Sequence, residues 1–196
     1  MKKLFLLSVF FGLVLAPAAS AGPTENYIAL KLGLASTKAN ERWDGGKSEI
    51  KGLPLLGLAG GCDFNPVRAE FEYTWRGKKE FIADDKLEIG VQSLFLNFYY
   101  DIDTPSPVIP YVGAGLGLAK IAAEISRPQK VLKTKTNFGW NIGGGAAWRF
   151  NDMVSLDLGY RYAGFGGIGI PGKPNQVKVN AHEMLLGLRF IPDEIF

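Results

Sequence analysis

The chain has 196 residues, of which 47% are hydrophobic and 12% aromatic, and its formal net charge is +3. This length supports one domain with an ordinary core. The small charge argues against general nucleic-acid binding, and a single cysteine, Cys62, excludes an intramolecular disulfide. The 25 glycines form neither a collagen-like period nor a linker, so they need another explanation.

The first 21 residues have the features of a secretory signal peptide. A basic start (Met1, Lys2 and Lys3) precedes an apolar run over residues 4–15 and a small-residue cleavage site over residues 19–21. We therefore expect residues 1–21 to be removed and residues 22–196 to form the mature domain. No later run reaches the ~18 apolar residues of a spanning helix.

Eight segments then alternate apolar and polar residues with the period of two that is typical of β-strands. In chain order they cover about 25–37, 52–64, 68–75, 87–101, 109–123, 137–150, 154–162 and 179–190. Long charged or glycine-rich segments follow the first, third, fifth and seventh strands, and short turns follow the second, fourth and sixth. The fourth strand changes its alternation over residues 90–93, which indicates either a bulge or the point at which the strand emerges into water.

The alternation of long and short connections is typical of transmembrane barrels. Each strand has about the 9 to 11 residues that cross a bilayer at a tilt, and aromatic residues cluster near the strand ends, as in interfacial girdles. The predicted fold class is all-β: an eight-stranded antiparallel transmembrane barrel with four long outer loops and three short periplasmic turns. The alternative is a soluble lipocalin-like barrel, whose interior would be apolar.

Charges and glycines share one face of the predicted strands. Eight strands leave an interior barely wide enough for side chains, so the glycines make room for charges packed there as pairs. The expected interior charge network consists of Lys31, Glu70, Glu72, Arg149, Asp157, Arg161, Glu183 and Arg189. Glu70 and Glu72 could also suggest acid–base catalysis, but a structural network is the simpler interpretation because unpaired buried charges are costly.

Other motifs point away from enzymatic chemistry. The glycines at 113, 115 and 117 lack the spacing and helix of a dinucleotide-binding turn. His182 is the only histidine, which excludes a site with two histidines, and the adjacent Glu183 faces the other way on a strand. We expect no catalytic residues, metal or cofactor.

Four segments resemble the opacity-protein family and the wider group of outer membrane protein A-type eight-stranded barrels. They are residues 97–101 (NFYYD), 110–115 (PYVGAG), 158–162 (LGYRY) and 181–190 (AHEMLLGLRF). The resemblance covers essentially the whole mature chain and implies a bacterial outer-membrane location. It also implies a terminal aromatic residue, with alternating apolar residues before it, that the barrel assembly machinery reads. The residues that match this signal are Met184, Leu186, Leu188, Phe190 and Phe196, and whether Phe190 or Phe196 is read stays open because Pro192 lies between them.

The resemblance implies roles in surface adhesion, envelope integrity or host contact. We expect a non-enzymatic monomer in contact with membrane lipids and lipopolysaccharide; the alternatives are a small porin and a lipid-modifying enzyme. A basic outer rim is predicted to contact lipopolysaccharide phosphates or acidic host glycans. Its residues are Arg127, Lys130, Lys133, Lys135, Lys173 and Lys178.

Overall fold

The computed structural model describes residues 25–40, 47–81, 87–125, 131–169 and 176–192. They form eight strands: β1 (Glu25–Asn40), β2 (Lys47–Asp63), β3 (Val67–Phe81), β4 (Leu87–Asp101), β5 (Val108–Ile125), β6 (Val131–Arg149), β7 (Val154–Gly169) and β8 (Gln176–Phe190). Consecutive strands pair antiparallel and β8 pairs with β1, which closes the barrel and confirms the predicted fold class. Within these ranges, no helix is long and apolar enough to cross a membrane.

The strands are staggered around the barrel. From Leu30, pairing followed through β2 to β5 arrives at Phe138 of β6. Pairing followed the other way, through β8 and β7, arrives at Trp148 of the same strand. The two arrival points are 148 − 138 = 10 residues apart, which is the shear of the closed sheet.

Alternate side chains face outward and form a continuous apolar surface. The large hydrophobic residues on it are 38–64% exposed. Representative members are Leu30, Leu58, Tyr73, Phe98, Leu116, Ile142, Leu158 and Leu186, one from each strand. A soluble protein rarely exposes so large an apolar patch, so lipid is the matching environment.

Most strands extend further toward the loop end than the sequence predicts. β3 continues to Phe81 and β7 to Gly169, into segments predicted as loops. The strands have 15 to 19 residues, more than a bilayer crossing needs, so their ends rise above the lipid-facing rows. β4 pairs with β5 without a register shift from Leu87 to Asp101, so its change of alternation marks emergence into water and not a bulge.

Above the lipid-facing rows the barrel wall divides into two four-stranded lobes. In the described segments, β2–β3 pairing ends at Leu55 and Arg76, and β6–β7 pairing ends at Trp140 and Gly164, while the other pairings continue. Pro54 cannot donate to the ladder at the first seam. Near the second seam, Gly166 has a φ of 79° beside a register shift in β7. The lobes are β7-β8-β1-β2 and β3-β4-β5-β6.

The inner faces of the two lobes pack as an apolar core, which we call the outer plug. All of its members are less than 5% exposed. They are Ala35, Leu53, Leu55, Ile89, Val91, Phe95, Ala119, Ile121, Ala123, Ala163, Phe165, Ile168, Val179 and Ala181. The buried interior is therefore mainly apolar near the loops, and its buried ion pairs lie nearer the short turns.

Candidate functional site

Below the outer plug lies a chain of alternating charges, which we call the central cluster. It runs in the order Glu70, Lys31, Glu72, Arg161, Glu183 and Arg76. Lys31 contacts Glu70, and its Nζ lies 2.7 Å from Glu72. Arg161 joins Glu72 at 2.7 Å to Glu183 at 2.6 Å. The three cations balance the three carboxylates.

The sheet register places these residues in the narrow interior. Arg161 of β7 is directly opposite Glu183 of β8, and both point inward. Interior glycines provide the space the side chains need: a Cβ on Gly143 would lie 2.6 Å from the Cβ of Arg161. A Cβ on Gly115 would lie 1.9 Å from Oδ1 of Asn97. This accounts for the abundance of glycine on the polar face.

Neutral side chains complete the hydrogen bonds of the buried carboxylates. Glu72 accepts hydrogen bonds from the Thr74 hydroxyl at 2.5 Å and from Nδ2 of Asn97 at 3.3 Å. Glu70 accepts from the hydroxyls of Tyr27 at 3.2 Å and Tyr99 at 3.1 Å. Because the carboxylates are already paired and bonded, this arrangement supports a structural network and not acid–base chemistry.

A second polar layer lies between the central cluster and the short turns. Arg68 pairs with Asp101 at 2.7 Å, and Arg189 pairs with Asp157 at 2.8 Å. The guanidinium carbon of Arg68 lies 4.9 Å from the Tyr99 ring centre, so cation–π contacts support the layer. Sequence reasoning put Arg189 and Asp157 in the network but left out Arg68 and its partner.

Two arginines lie elsewhere than predicted. Arg149 was expected in the interior network, but it is exposed at the turn end, where it lines a cavity of about 510 Å³ with acidic residues such as Asp103 and Asp152. Arg76 was expected in a loop, but β3 continues past it and its side chain is 1% exposed. Arg76 lies an even number of positions from Glu70 and Glu72, so it belongs to the same inward-facing row of β3. That alternation is the sequence signal that could have identified Arg76 as an interior residue.

The interior is filled from the outer plug to the second polar layer. The guanidinium carbon of Arg76 lies 4.4 Å from the ring centre of Phe165, so the central cluster contacts the outer plug directly. A cavity of about 40 Å³ lies beside Lys31, Tyr99 and Arg161, which is room for only a few waters. The outer plug, the central cluster and the second layer thus form three successive seals.

The predicted basic rim is divided between two surfaces. Lys133 and Lys135 of β6 share the inward parity of the strand at the loop end of the barrel, which we call the mouth. There they are directly opposite Ala123 and Ile121 of the outer plug. Lys178 of β8 faces outward and is exposed. The remaining rim residues, Arg127, Lys130 and Lys173, lie outside the described residues.

His182 belongs to an outward aromatic group and not to a catalytic site with Glu183. Its Nδ1 lies 2.6 Å from the hydroxyl of Tyr160, and its ring centre is 4.8 Å from that of Tyr162. Trp140 packs against Tyr162 at 5.7 Å, whereas Glu183 is buried on the inner side. In the described part of the chain, no cluster of His, Cys, Asp and Glu could hold a metal ion.

The residues proposed as an assembly signal form the outer face of β8. Met184, Leu186, Leu188 and Phe190 are 38–62% exposed toward the lipid side. Phe190 is the last residue of the strand and pairs with Ile28 and Val154. Phe196 lies outside the described residues.

Comparisons with known proteins agree with this architecture. A family model described as "Outer membrane protein beta-barrel domain" matches residues 5–190. The chain is 28% identical over 208 residues to the outer membrane protein PagN of Salmonella typhimurium, and the match covers 87% of each chain.

Solved structures show the same fold. Neisserial surface protein A superposes with a TM-score of 0.62 and 25% identity, over 87% of this chain and 99% of that one. The attachment invasion locus protein Ail of Yersinia pestis gives a TM-score of 0.55 at 19% identity, over 85% and 99% of the two chains. A second Ail structure is a complex with the heparin analogue sucrose octasulfate, with a TM-score of 0.53 and 20% identity over the same shares of the two chains. Given its closed eight-stranded barrel and a family match that spans most of its length, the chain belongs to the outer membrane protein beta-barrel domain family and is a protein of the bacterial outer membrane.

Proposed function

We propose that this protein is a closed, non-enzymatic, monomeric barrel that acts through its outer surface, in adhesion or envelope integrity. The observation that carries the proposal is the filled interior: three successive seals occupy the lumen. A porin needs a continuous aqueous path, whereas small barrels of this size are filled by side chains. What the protein contacts is therefore expected to lie at its mouth or on its wall.

The mouth lysines favour an acidic polysaccharide as the outer ligand. Lys133 is exposed and Lys135 half-buried, and their direct partners on β5, Ala123 and Ile121, are uncharged residues of the outer plug. Sulfated and carboxylated polymers complement such a surface. The sulfated ligand in the Ail complex makes sucrose octasulfate a suitable probe.

The test measures sucrose octasulfate binding to the purified protein at low salt. We expect the Lys133→Gln/Lys135→Gln double variant to bind more weakly than the unsubstituted protein. Lys120→Gln removes an exposed outward lysine on β5 and serves as the matched control. If Lys133→Gln/Lys135→Gln and Lys120→Gln bind sucrose octasulfate equally well, the proposal that the mouth recognises acidic polysaccharides is wrong.

A lipid-modifying enzyme is the second candidate, since one cross-strand pair resembles part of a hydrolytic site. Ser36 of β1 is directly opposite His182 of β8 on the outer wall. A triad also needs an acid that orients the histidine, but here Nδ1 of His182 is bonded to Tyr160. The described outward neighbours on β7 and β1, such as Tyr162 and Lys38, carry no carboxylate. Mass spectra of lipid A from overexpressing cells test this activity, and a new species lost with Ser36→Ala would establish it.

A further inference from the structure

We propose that Lys38, Lys178, Asn180 and His182 form a phosphate-binding site on the outer wall, for a phosphorylated glycolipid of the outer leaflet. The proposal uses the outer-membrane location of the protein but does not depend on polysaccharide binding at the mouth. It separates Lys178 from Lys133 and Lys135, with which sequence reasoning grouped it.

The pairing of β8 with β1 brings the four residues together. Lys38 is directly opposite Asn180, and Ser36 is directly opposite His182. Lys178 lies one outward position beyond Asn180, diagonal to Lys38. Diagonal neighbours in an antiparallel pair are about 7–8 Å apart, so two flexible lysine side chains at these positions can reach one phosphate group.

The site begins where the lipid-facing rows end. Directly below it on the same two strands lie Leu34 and Met184, which are 58% and 62% exposed. Tyr160 and Tyr162 flank it on β7, and amphipathic rings of this kind mark the membrane–water boundary. A lipid whose chains lie on Leu34 and Met184 would therefore place its headgroup against the polar row.

The position of the site along the strands places it at the outer leaflet of the membrane. It lies toward the ends of β1 and β8 that extend beyond the lipid-facing rows, opposite the turns at 64–66, 102–107 and 150–153. In outer-membrane barrels the end opposite the periplasmic turns faces the exterior. Lipids of that leaflet are phosphorylated glycolipids, which carry their phosphates on a sugar headgroup at this depth. Continuity with the lipid-facing surface therefore identifies the occupant as a membrane lipid and not a soluble anion.

The electrostatics of this wall match a phosphate. Lys38 and Lys178 are both exposed, and their outward neighbours Ser36, Asn180 and Gly164 are uncharged. Across the β1–β2 pair, Lys38 is directly opposite Glu49, and Asn40 is directly opposite Lys47. Charge-assisted hydrogen bonds from lysines to phosphate are stronger than neutral ones. This outward row therefore carries three lysine positions and one glutamate position, which leaves it net positive beside uncharged hydrogen-bonding groups.

His182 supplies a third type of contact. Its Nδ1 is bonded to the Tyr160 hydroxyl and its ring packs on Tyr162. These contacts fix the ring plane and leave Nε2 as the nitrogen that can hydrogen-bond a headgroup oxygen. The aromatic group thus acts as a rigid base beneath the two flexible lysines.

The opposite wall provides a matched control. Lys120 of β5 is also outward and exposed, but its partners are Gln92 and Thr136, so no second lysine is adjacent. Further along the same strands, Glu88 is opposite Glu124 on the outward parity. A single lysine near two acids should hold a lipid phosphate poorly.

The experiment is native mass spectrometry of the purified full chain in detergent, titrated with bisphosphorylated lipid A, with dephosphorylated lipid A and with phosphatidylglycerol. For Lys38→Gln/Lys178→Gln we expect the affinity for bisphosphorylated lipid A to fall about 25-fold, since each basic residue near an anionic lipid contributes about fivefold. Lys120→Gln should keep its affinity within about twofold. Dephosphorylated lipid A should bind equally to all variants.

His182→Phe provides a second variant, because the ring contact with Tyr162 is kept while Nε2 is lost; we expect partial loss of the same binding. Retained affinity in the double lysine variant, or an equal loss in Lys120→Gln, would overturn the site. A lysine-dependent loss that is as large for phosphatidylglycerol would overturn the glycolipid assignment. The sucrose octasulfate assay tests Lys133 and Lys135 at the mouth, and the lipid A titration tests Lys38 and Lys178 on the outer wall. A negative result in one assay therefore leaves the other proposal standing.

Discussion

Nε of Arg76 lies 2.5 Å from a carboxylate oxygen of Glu183, although the two residues are 107 positions apart in the chain. Arg76 is on β3 and Glu183 on β8, with β1 and β2 between them in the wall. The bond therefore crosses the lumen and ties two separate parts of the wall together from within. Arg161 bonds the second oxygen of the same carboxylate, so Glu183 holds three strands at one point.

Removing Arg76 should destabilise the barrel strongly. Arg76→Ala leaves one oxygen of the buried Glu183 without its partner, and breaking a buried pair from one side costs about 3–5 kcal/mol. Urea unfolding of the protein in lipid vesicles measures the change. Arg149→Ala is the control: this arginine is exposed at the turn end, and its loss should change the free energy of unfolding by about 0.5 kcal/mol or less. Similar midpoints for the two variants would contradict the assignment of Arg76 to the central cluster.

Even one added methyl group should disturb the interior at Gly115. In Gly115→Ala the new Cβ would lie 1.9 Å from Oδ1 of Asn97, and Asn97 is completely buried. Overpacking of this kind costs about 1–3 kcal/mol, measured by the same unfolding experiment. Gly169→Ala is the matched control, because the nearest atom to its Cβ would be Nζ of Lys133 at 3.6 Å. Equal stability of the two variants would mean that the interior has more room than the structure shows.

The three seals should keep the lumen closed even when one is damaged. Phe165→Ala opens a cavity in the outer plug and should cost about 3–5 kcal/mol in the free energy of unfolding. The central cluster and the second layer remain beneath it, so we expect no conductance steps in planar bilayers, as for the unsubstituted protein. Steps from the unsubstituted protein would favour the porin alternative, and steps from Phe165→Ala alone would show that the outer plug is the only seal.

The period of two identified all eight strands because lipid outside and charges inside impose opposite requirements on neighbouring residues. The same logic failed at the loop ends, where the surroundings change from lipid to water. There the outside becomes polar and the inside apolar, so Ile89 and Val91 face inward where lower residues of β4 place Asn97. Strand ends predicted from the lipid-facing pattern therefore stop too early, and Arg76 and Phe165 fall into predicted loops.

The charged interior was predictable in its composition but not in its pairing. Parity alone places Lys31, Glu72, Arg161 and Glu183 inside. Which carboxylate pairs with which lysine or arginine depends on the shear of the closed sheet. The alternation of apolar and polar residues in the sequence does not determine that shear. The same limit applies to the predicted basic rim. Lys133 and Lys178 both lie within predicted loops, but in the folded strands their parity is opposite, so Lys133 faces the mouth and Lys178 faces the lipid boundary.

Phe190 is the residue we expect the assembly machinery to read. It ends β8, is 38% exposed beside the outward Leu188, and pairs with both Ile28 and Val154 where the barrel closes. Phe190→Ala should therefore reduce the amount of heat-modifiable barrel in the outer membrane several-fold, while Phe196→Ala leaves it unchanged. Phe150→Ala controls for the loss of an exposed aromatic at the same end of the barrel.

A separate refolding measurement distinguishes recognition from stability. If Phe190 is read during assembly, purified Phe190→Ala should still refold into detergent micelles to the same extent as the unsubstituted protein, because its ring faces outward and belongs to no interior seal. A refolding defect as large as the loss in cells would make Phe190 a stability residue. A loss in cells with Phe196→Ala instead would transfer the assembly signal to that residue.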